Sequence, residues 1–166
     1  MKPLKVDIPY PPLNQIERDE KSAYIISPAY SGLHSELKAI LQYVYHAQFF
    51  NDERFLEYKT ALINIAICEM EHLNILGELL LKLGADPIYT LRAFDKYNFF
   101  TTSCIAQSKT PEKMLLDDIS GELSAINTYT EIIDKIKNER VSAIITRIRL
   151  DEELHVKVLK ELLHAL

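Results

Sequence analysis

Two short units in this sequence carry side chains able to share a cation. Glu69-Met70-Glu71-His72 and Glu152-Glu153-Leu154-His155 each place a glutamate three residues before a histidine. On a helix, residues at that spacing lie about one turn apart on one face, so a carboxylate and an imidazole reach the same ion. A third pair of this form, Glu161 with His164, begins nine residues beyond Glu152. That offset is about 180° around a helix, so the third pair faces solvent when the second faces inward, and it is set aside. Two further glutamates, Glu36 and Glu122, are embedded in otherwise apolar helical faces. A buried carboxylate without a partner is costly. Four glutamates and two neutral histidines around two divalent cations sum to zero charge, which removes that cost. Mixed carboxylate and imidazole ligation suits iron, manganese or zinc, and the carboxylate count favours a bridged pair able to change oxidation state.

The elements that must position these groups read as helices. The chain has 166 residues, nearly half of them hydrophobic, and only four glycines, which excludes disordered, collagen-like and low-complexity classes. Its length fits one domain with one sizeable core. Pro3, Pro9, Pro11 and Pro12 forbid a continuous helix at the start, so residues 1–27 are expected to be an extended arm and 28–166 the domain. Leu33, Leu37, Ile40, Tyr43, Val44, Ala47 and Phe50 mark a helical face over 32–51. A second helix starts with Asn51 or Asp52 as its cap and runs to Gly84 and Pro87. Residues 84–110 lack periodicity and read as a crossover, and Thr110-Pro111-Glu112 opens a third helix to about 137, with Thr110 as its cap. A fourth covers 139–164. The short connections make two antiparallel hairpins, and the long one makes the second and third helices parallel. Glu36 to Tyr43 matches Glu122 to Tyr129 as a weak repeat, which supports the two halves. The expected fold is all-α: a four-helix bundle of two hairpins joined by a long crossover, with an extended N-terminal arm.

Composition narrows the function classes. The net charge of -5 with no basic run excludes a nucleic-acid footprint. No stretch reaches roughly 18 consecutive apolar residues, and Asp7 and the prolines break any signal-peptide core, so no membrane and a cytoplasmic location are expected. Cys68 and Cys104 are too few for a disulfide scaffold or a four-cysteine metal site, and both read as inert small core residues. No glycine-rich phosphate loop or GxSxG elbow competes with the metal reading.

Together these residues resemble the ferritin-like di-metal carboxylate superfamily of bacterioferritins, rubrerythrins and manganese catalases. Its pattern is one glutamate on each of two helices and Glu-x-x-His on the other two. The first helix, ELKAILQYVYHAQFF, looks most like bacterioferritin, and DEELH on the fourth is similar too. The resemblance implies Glu36, Glu69, His72, Glu122, Glu152 and His155 as ligands, with Glu69 and Glu152 as bridges, and two iron ions, or alternatively two manganese ions, as cofactors. It implies a redox enzyme reacting with peroxide or dioxygen and protecting against oxidants, the catalytic group being the metal centre itself. An electron-donor protein is a candidate partner, and a homo-oligomer of at least two chains is expected. Iron storage with a ferroxidase step is the alternative. Where rubrerythrins carry a CxxC...CxxC domain and a further glutamate on the third helix, this chain has neither, with Ala125 at the latter position.

Tyr43 and Tyr129 each lie seven residues after a proposed ligand, two turns on and nearly on the same face, so their hydroxyls are expected to orient carboxylates. Asp151 is expected to accept the outer N–H of His72, as in related sites, while Cys68 stands at the matching place in the other half. Met70 follows Glu69 as does the haem-ligating methionine of bacterioferritin; methionine at a helical interface is usually packing, so haem is not expected. His34 and His46 read as ordinary polar or packing residues, and Arg149 either reaches the ligands or forms a surface ion pair. The N-terminal arm either crosses a partner subunit or lies on its own chain.

Overall fold

Asp19 starts the first helix. Its carboxylate accepts from the backbone N–H of Ser22 at 3.2 Å and from the Ser22 hydroxyl at 2.5 Å, which satisfies a free donor of the first turn. The computed structural model describes residues 2–166 and contains five α-helices: α1 (Glu20–Ser31), α2 (Glu36–Ala47), α3 (Leu56–Leu83), α4 (Pro111–Lys135) and α5 (Glu139–Ala165). The arm therefore ends at residue 19 rather than 27, and the first member of the bundle is two helices rather than one over 32–51. Pro28 lies inside α1, where it cannot donate to the Tyr24 carbonyl. The Ser27 hydroxyl takes that carbonyl instead, at 3.1 Å, so the helix passes the proline and ends at Gly32. A Cβ at Gly32 would stand 2.5 Å from the Pro28 carbonyl oxygen, so only glycine fits this break. Ser35 then caps α2, accepting from the Lys38 N–H at 3.3 Å. Glu36 is consequently the first residue of α2, at its positive end, rather than a residue of a helix interior.

A single 3-10 turn, Glu53–Phe55, leads into α3, which closes at Gly84. There φ is 94°, and the glycine N–H returns to the Leu80 and Leu81 carbonyls. The crossover runs back beside α1 and α2: Ser31 Oγ donates to the Thr90 carbonyl at 2.7 Å, Ala93 N–H to Ser27 Oγ at 2.8 Å, and Ala106 N–H to Gln42 Oε1 at 3.0 Å. It holds an isolated antiparallel bridge between Thr90 and Phe99 and a 3-10 turn, Thr102–Cys104. Thr110 precedes α4 and Pro111 fills its first turn, but the Thr110 side chain makes no capping bond. Asn138 caps α5 through Arg140 N–H and Val141 N–H. α2 packs chiefly on α3 and α4 on α5, and α1 on the far half of α3.

Helix pairing divides the core into two apolar blocks. One gathers Ala23, Ile26, Leu76, Leu79, Leu80, Leu83, Tyr129, Ile144 and Ile148; the other gathers Tyr43, Phe50, Tyr58, Leu62, Ile65, Met114, Leu115 and Leu159. Each fully buried large side chain contributes about 1.5–3 kcal/mol. That sum holds a polar layer between the blocks in place, although the layer itself is costly to bury. No helix among the described residues is long and apolar enough to cross a membrane.

Candidate metal centre

The polar layer consists of Glu36 from α2, Glu69 and His72 from α3, Glu122 from α4, and Glu152 and His155 from α5, all buried. They form two four-residue sets in which donor atoms lie within 4.8 Å of one another: Glu36, Glu69, His72 and Glu152, and Glu69, Glu122, Glu152 and His155. Glu69 and Glu152 belong to both. His72 turns Nδ1 to this cluster, 2.8 Å from Glu69 Oε2, 3.1 Å from Glu152 Oε1 and 3.6 Å from Glu36 Oε2. His155 Nδ1 stands 3.0 Å from Glu69 Oε1, 3.4 Å from Glu152 Oε2 and 3.7 Å from Glu122 Oε1.

Close approach is not the same as satisfaction. Glu69 Oε1, Glu152 Oε1 and His155 Nδ1 are buried and lack an aligned hydrogen-bond partner among the described residues. Buried polar atoms are rarely left so. His155 Nδ1 faces Glu69 Oε1 and Glu152 Oε1 faces His72 Nδ1, an arrangement that cations between them would satisfy, and the donor set, oxygen and imidazole nitrogen, is the one first-row divalent metals take.

The protonation of the cluster points the same way. Burial alone would strip protons from the imidazoles, but the facing carboxylates, Glu36 foremost at His72 and Glu69 at His155, hold both well above their ordinary range. Burial, then the charges of Glu69 and Glu152, push the Glu36 carboxyl well up; burial, then Glu152 and Glu69, do the same to Glu122. Burial would raise Glu69 too, yet the two histidines hold it well below its ordinary value, and hydrogen bonds hold Glu152 down against burial and the Glu69 charge. The raised groups thus favour up to four protons on the cluster, two on imidazoles facing the lowered carboxylates and two on the outer carboxyls. They occupy the charge that two divalent cations would supply.

The tyrosines link the halves: the Tyr43 hydroxyl donates to Glu122 Oε1 and the Tyr129 hydroxyl to Glu36 Oε1, each across the bundle. Asp151 Oδ2 lies 3.1 Å from His72 Nε2, with Cys68 Sγ 3.4 Å from the same nitrogen. Burial would raise the Asp151 carboxyl, but hydrogen bonds from His72, Tyr10, the Val6 backbone and Arg147 lower it to about 2. Met70 is half exposed on the outer face of α3, away from the cluster. Arg149 does not reach the ligands; it pairs with Glu153 at 3.5 Å and donates to Thr130 Oγ1 at 3.3 Å. Glu161 and His164 are exposed, and so is His34. Cys68 is buried, whereas Cys104 is only partly so.

Two features lay outside the sequence reading. His46 joins a buried network with Asp118, at 2.9 Å, Gln42 and the Ala106 carbonyl, which ties the crossover to α2 and α4. The second is the arm, which lies on its own chain and supplies Leu4, Val6 and Tyr10 around the two histidines. No local signal marks either, because Asp118, Ala106 and the arm lie sixty or more residues away in sequence from the histidines they meet. Between α2 and α4, a cavity of about 20 Å³ reaches the cluster, lined by Lys38, Gln42, Gly121, Glu122 and Ala125 among others. The small side chains at 121 and 125 leave that gap.

The sequence model of the ferritin-like domain matches residues 31–166, and the chain belongs to that family. The arm and all of α1 but Ser31 lie outside the matched residues. No curated protein matches the sequence. Among solved structures, a manganese catalase from Anabaena superposes with a TM-score of 0.79 at 23% identity, over 96% of this chain and 78% of that one. Bacterioferritin of Rhodobacter capsulatus, described with a metal-free dinuclear site and haem iron, gives 0.73 at 24% identity over 90% and 87%. A dodecameric thioferritin, the bacterioferritin-related protein of Bacteroides fragilis, gives 0.71 at 21% over 92% and 90%. These likenesses establish a shared fold.

Proposed function

Taking the chain as a ferritin-like protein, we propose that it is a di-metal oxidoreductase holding two iron or two manganese ions and reacting with peroxide or dioxygen. The observation that carries the reading is the pair of buried donor sets sharing Glu69 and Glu152. Glu36 and His72 would hold one ion, Glu122 and His155 the other, and Glu69 and Glu152 would bridge. Two such ions, when bound, supply electrons in pairs and Lewis acidity between them.

The remaining work falls to the chain. Tyr43 and Tyr129 fix the rotamers of the two outer carboxylates through their hydroxyls, so the site is held before anything enters. Apolar blocks on both sides exclude bulk water and strengthen every charge interaction inside. The cavity of about 20 Å³ exceeds the roughly 10–15 Å³ that one water requires, so it admits molecules of that order and rejects organic substrates. Lys38 lines the same gap, and its N–H-rich head stands 3.3 Å from where a Gly121 Cβ would be, so Gly121 keeps room for it.

Peroxide disproportionation tests the reading: two hydrogen peroxide molecules give one dioxygen and two waters, followed with an oxygen electrode. Protein loaded with manganese evolves oxygen and the Glu69→Ala variant does not. Peroxide loss without oxygen, dependent on an added reductant, would instead assign a peroxidase fed by a donor protein. Protection against oxidants at the cytoplasmic face of metabolism, by a homodimer or larger assembly, follows from the same reading. The alternative, iron storage with ferroxidase chemistry, is supported by the bacterioferritin-like fold and the dodecameric relative. Many irons per chain in a hollow particle would select it, and two metals per chain in a small oligomer would select the enzyme.

A further inference from the structure

We propose that the N-terminal arm is a working part of the metal centre: its backbone and Tyr10 lock the outer nitrogens of both ligand histidines and so retain the metals. The inference rests on the metal reading above. An imidazole that presents Nδ1 to a cation must carry its proton on Nε2, and whatever faces Nε2 decides whether that tautomer is held. At His155 the facing group is the Leu4 carbonyl, 2.7 Å away. A carbonyl only accepts, so it admits only the Nε2–H form. In the other half Asp151 plays this part for His72 at 3.1 Å. Cys68 stands in sequence where a second aspartate would complete the symmetry, but its Sγ, a weak partner, lies 3.4 Å from His72 Nε2 beside Asp151. The arm carbonyl occupies the place the sequence leaves open.

Asp151 is itself held by the arm. It accepts from Val6 N–H at 2.8 Å and from the Tyr10 hydroxyl at 2.6 Å. Arg147 lies 2.7 Å from Asp151 Oδ2 and turns back to donate to the Ile8 carbonyl at 2.7 Å and the Val6 carbonyl at 3.0 Å. The carbonyls of residues 4, 6 and 8 thus all face the bundle, the chain bending at Asp7 and Ile8, where the Ile8 N–H returns to the Val6 carbonyl at 2.9 Å. Pro3 and Pro9 favour that extended backbone. Anchors fix the register: Leu4 N–H donates to the Asn64 carbonyl at 3.0 Å, Lys5 pairs with Glu71 at 2.6 Å, and the Tyr10 ring meets His72 edge-on with centroids 6.1 Å apart. These arm residues precede the segment matched by the family model.

The test uses the full chain loaded with Co²⁺, with ¹⁵N-histidine labelling to assign the paramagnetically shifted imidazole N–H protons. The intact protein is expected to show two such protons, from His72 and His155, both protected from exchange with solvent. In a Val6→Pro, Tyr10→Phe double variant, which removes two donors to Asp151 while keeping an extended arm, the His72 proton is expected to exchange freely while that of His155 stays protected. A strong chelator is then expected to strip Co²⁺ about 10–100-fold faster. The single Tyr10→Phe variant carries the test should the double variant not melt cooperatively. Unchanged exchange and unchanged metal release in a folded variant overturn the inference, as does a freely exchanging His155 proton in the intact chain. An intact chain that binds no Co²⁺ overturns the metal reading itself, and the inference with it.

Discussion

Filling the cluster with divalent cations should expel protons, and the groups it holds set an upper bound of four per pair of ions. In the metal-free protein the two imidazoles and the Glu36 and Glu122 carboxyls all have raised pKa values, while Glu69 and Glu152 are lowered. Two imidazolium charges then balance two carboxylates, with two neutral carboxyls beside them. Binding two divalent ions converts this to neutral imidazoles and four carboxylates, so up to four protons leave per pair of ions. At 1.36 kcal/mol per proton per pH unit, the pair of ions loses up to about 5 kcal/mol of binding free energy for each unit of acidification. Calorimetric titration of the metal-free protein with Mn²⁺, in two buffers of different ionisation enthalpy, reads the proton count directly. Release of fewer than two protons would refute the charge-balance reasoning.

Removing one hydroxyl, in Tyr43→Phe or Tyr129→Phe, should weaken metal retention about tenfold while leaving the helical signal intact, checked by chelator competition and circular dichroism. The metal-free protein should have its highest melting temperature near pH 4.5: the raised Glu36 and Glu122 lose their contribution as pH rises above about 4.5 and the raised His72 and His155 theirs above about 6.5, while the lowered Glu69, Glu152 and Asp151 lose theirs as pH falls below about 4.5. A melting series that rises steadily to pH 9 would contradict it. Gly84→Ala should cost about 1–2 kcal/mol in denaturant unfolding without altering metal content, because the site holds φ at 94° and a Cβ there meets the Arg18 side chain at 2.9 Å.

The clustering of the six proposed ligand residues was legible because helical periodicity is local. Glu-x-x-His fixes two donors on one face, and a carboxylate in an apolar stripe marks a position that needs a counter-charge. α3, α4 and α5 followed from the same periodicity and from end signals such as Gly84 and Pro111. α1 was not legible, since Pro28 argues against a helix and only the Ser27 hydroxyl on the Tyr24 carbonyl explains its tolerance. The arm escaped for a different reason. Its contribution is made by backbone groups of Leu4 and Val6, which have no signature in residue type, and by Arg147 reaching across more than a hundred residues of sequence. His46 is similar: nothing local distinguishes a histidine buried against Asp118 from one facing water.

The central claim is that Glu36, Glu69, His72, Glu122, Glu152 and His155 hold two metal ions. Elemental mass spectrometry on protein purified without added metal, beside the Glu69→Ala variant, tests it most directly. The account predicts about two iron or manganese ions per chain, lost in the variant. Metal equal in both proteins, or absent from wild type even after loading with excess Mn²⁺ or Fe²⁺, would contradict it.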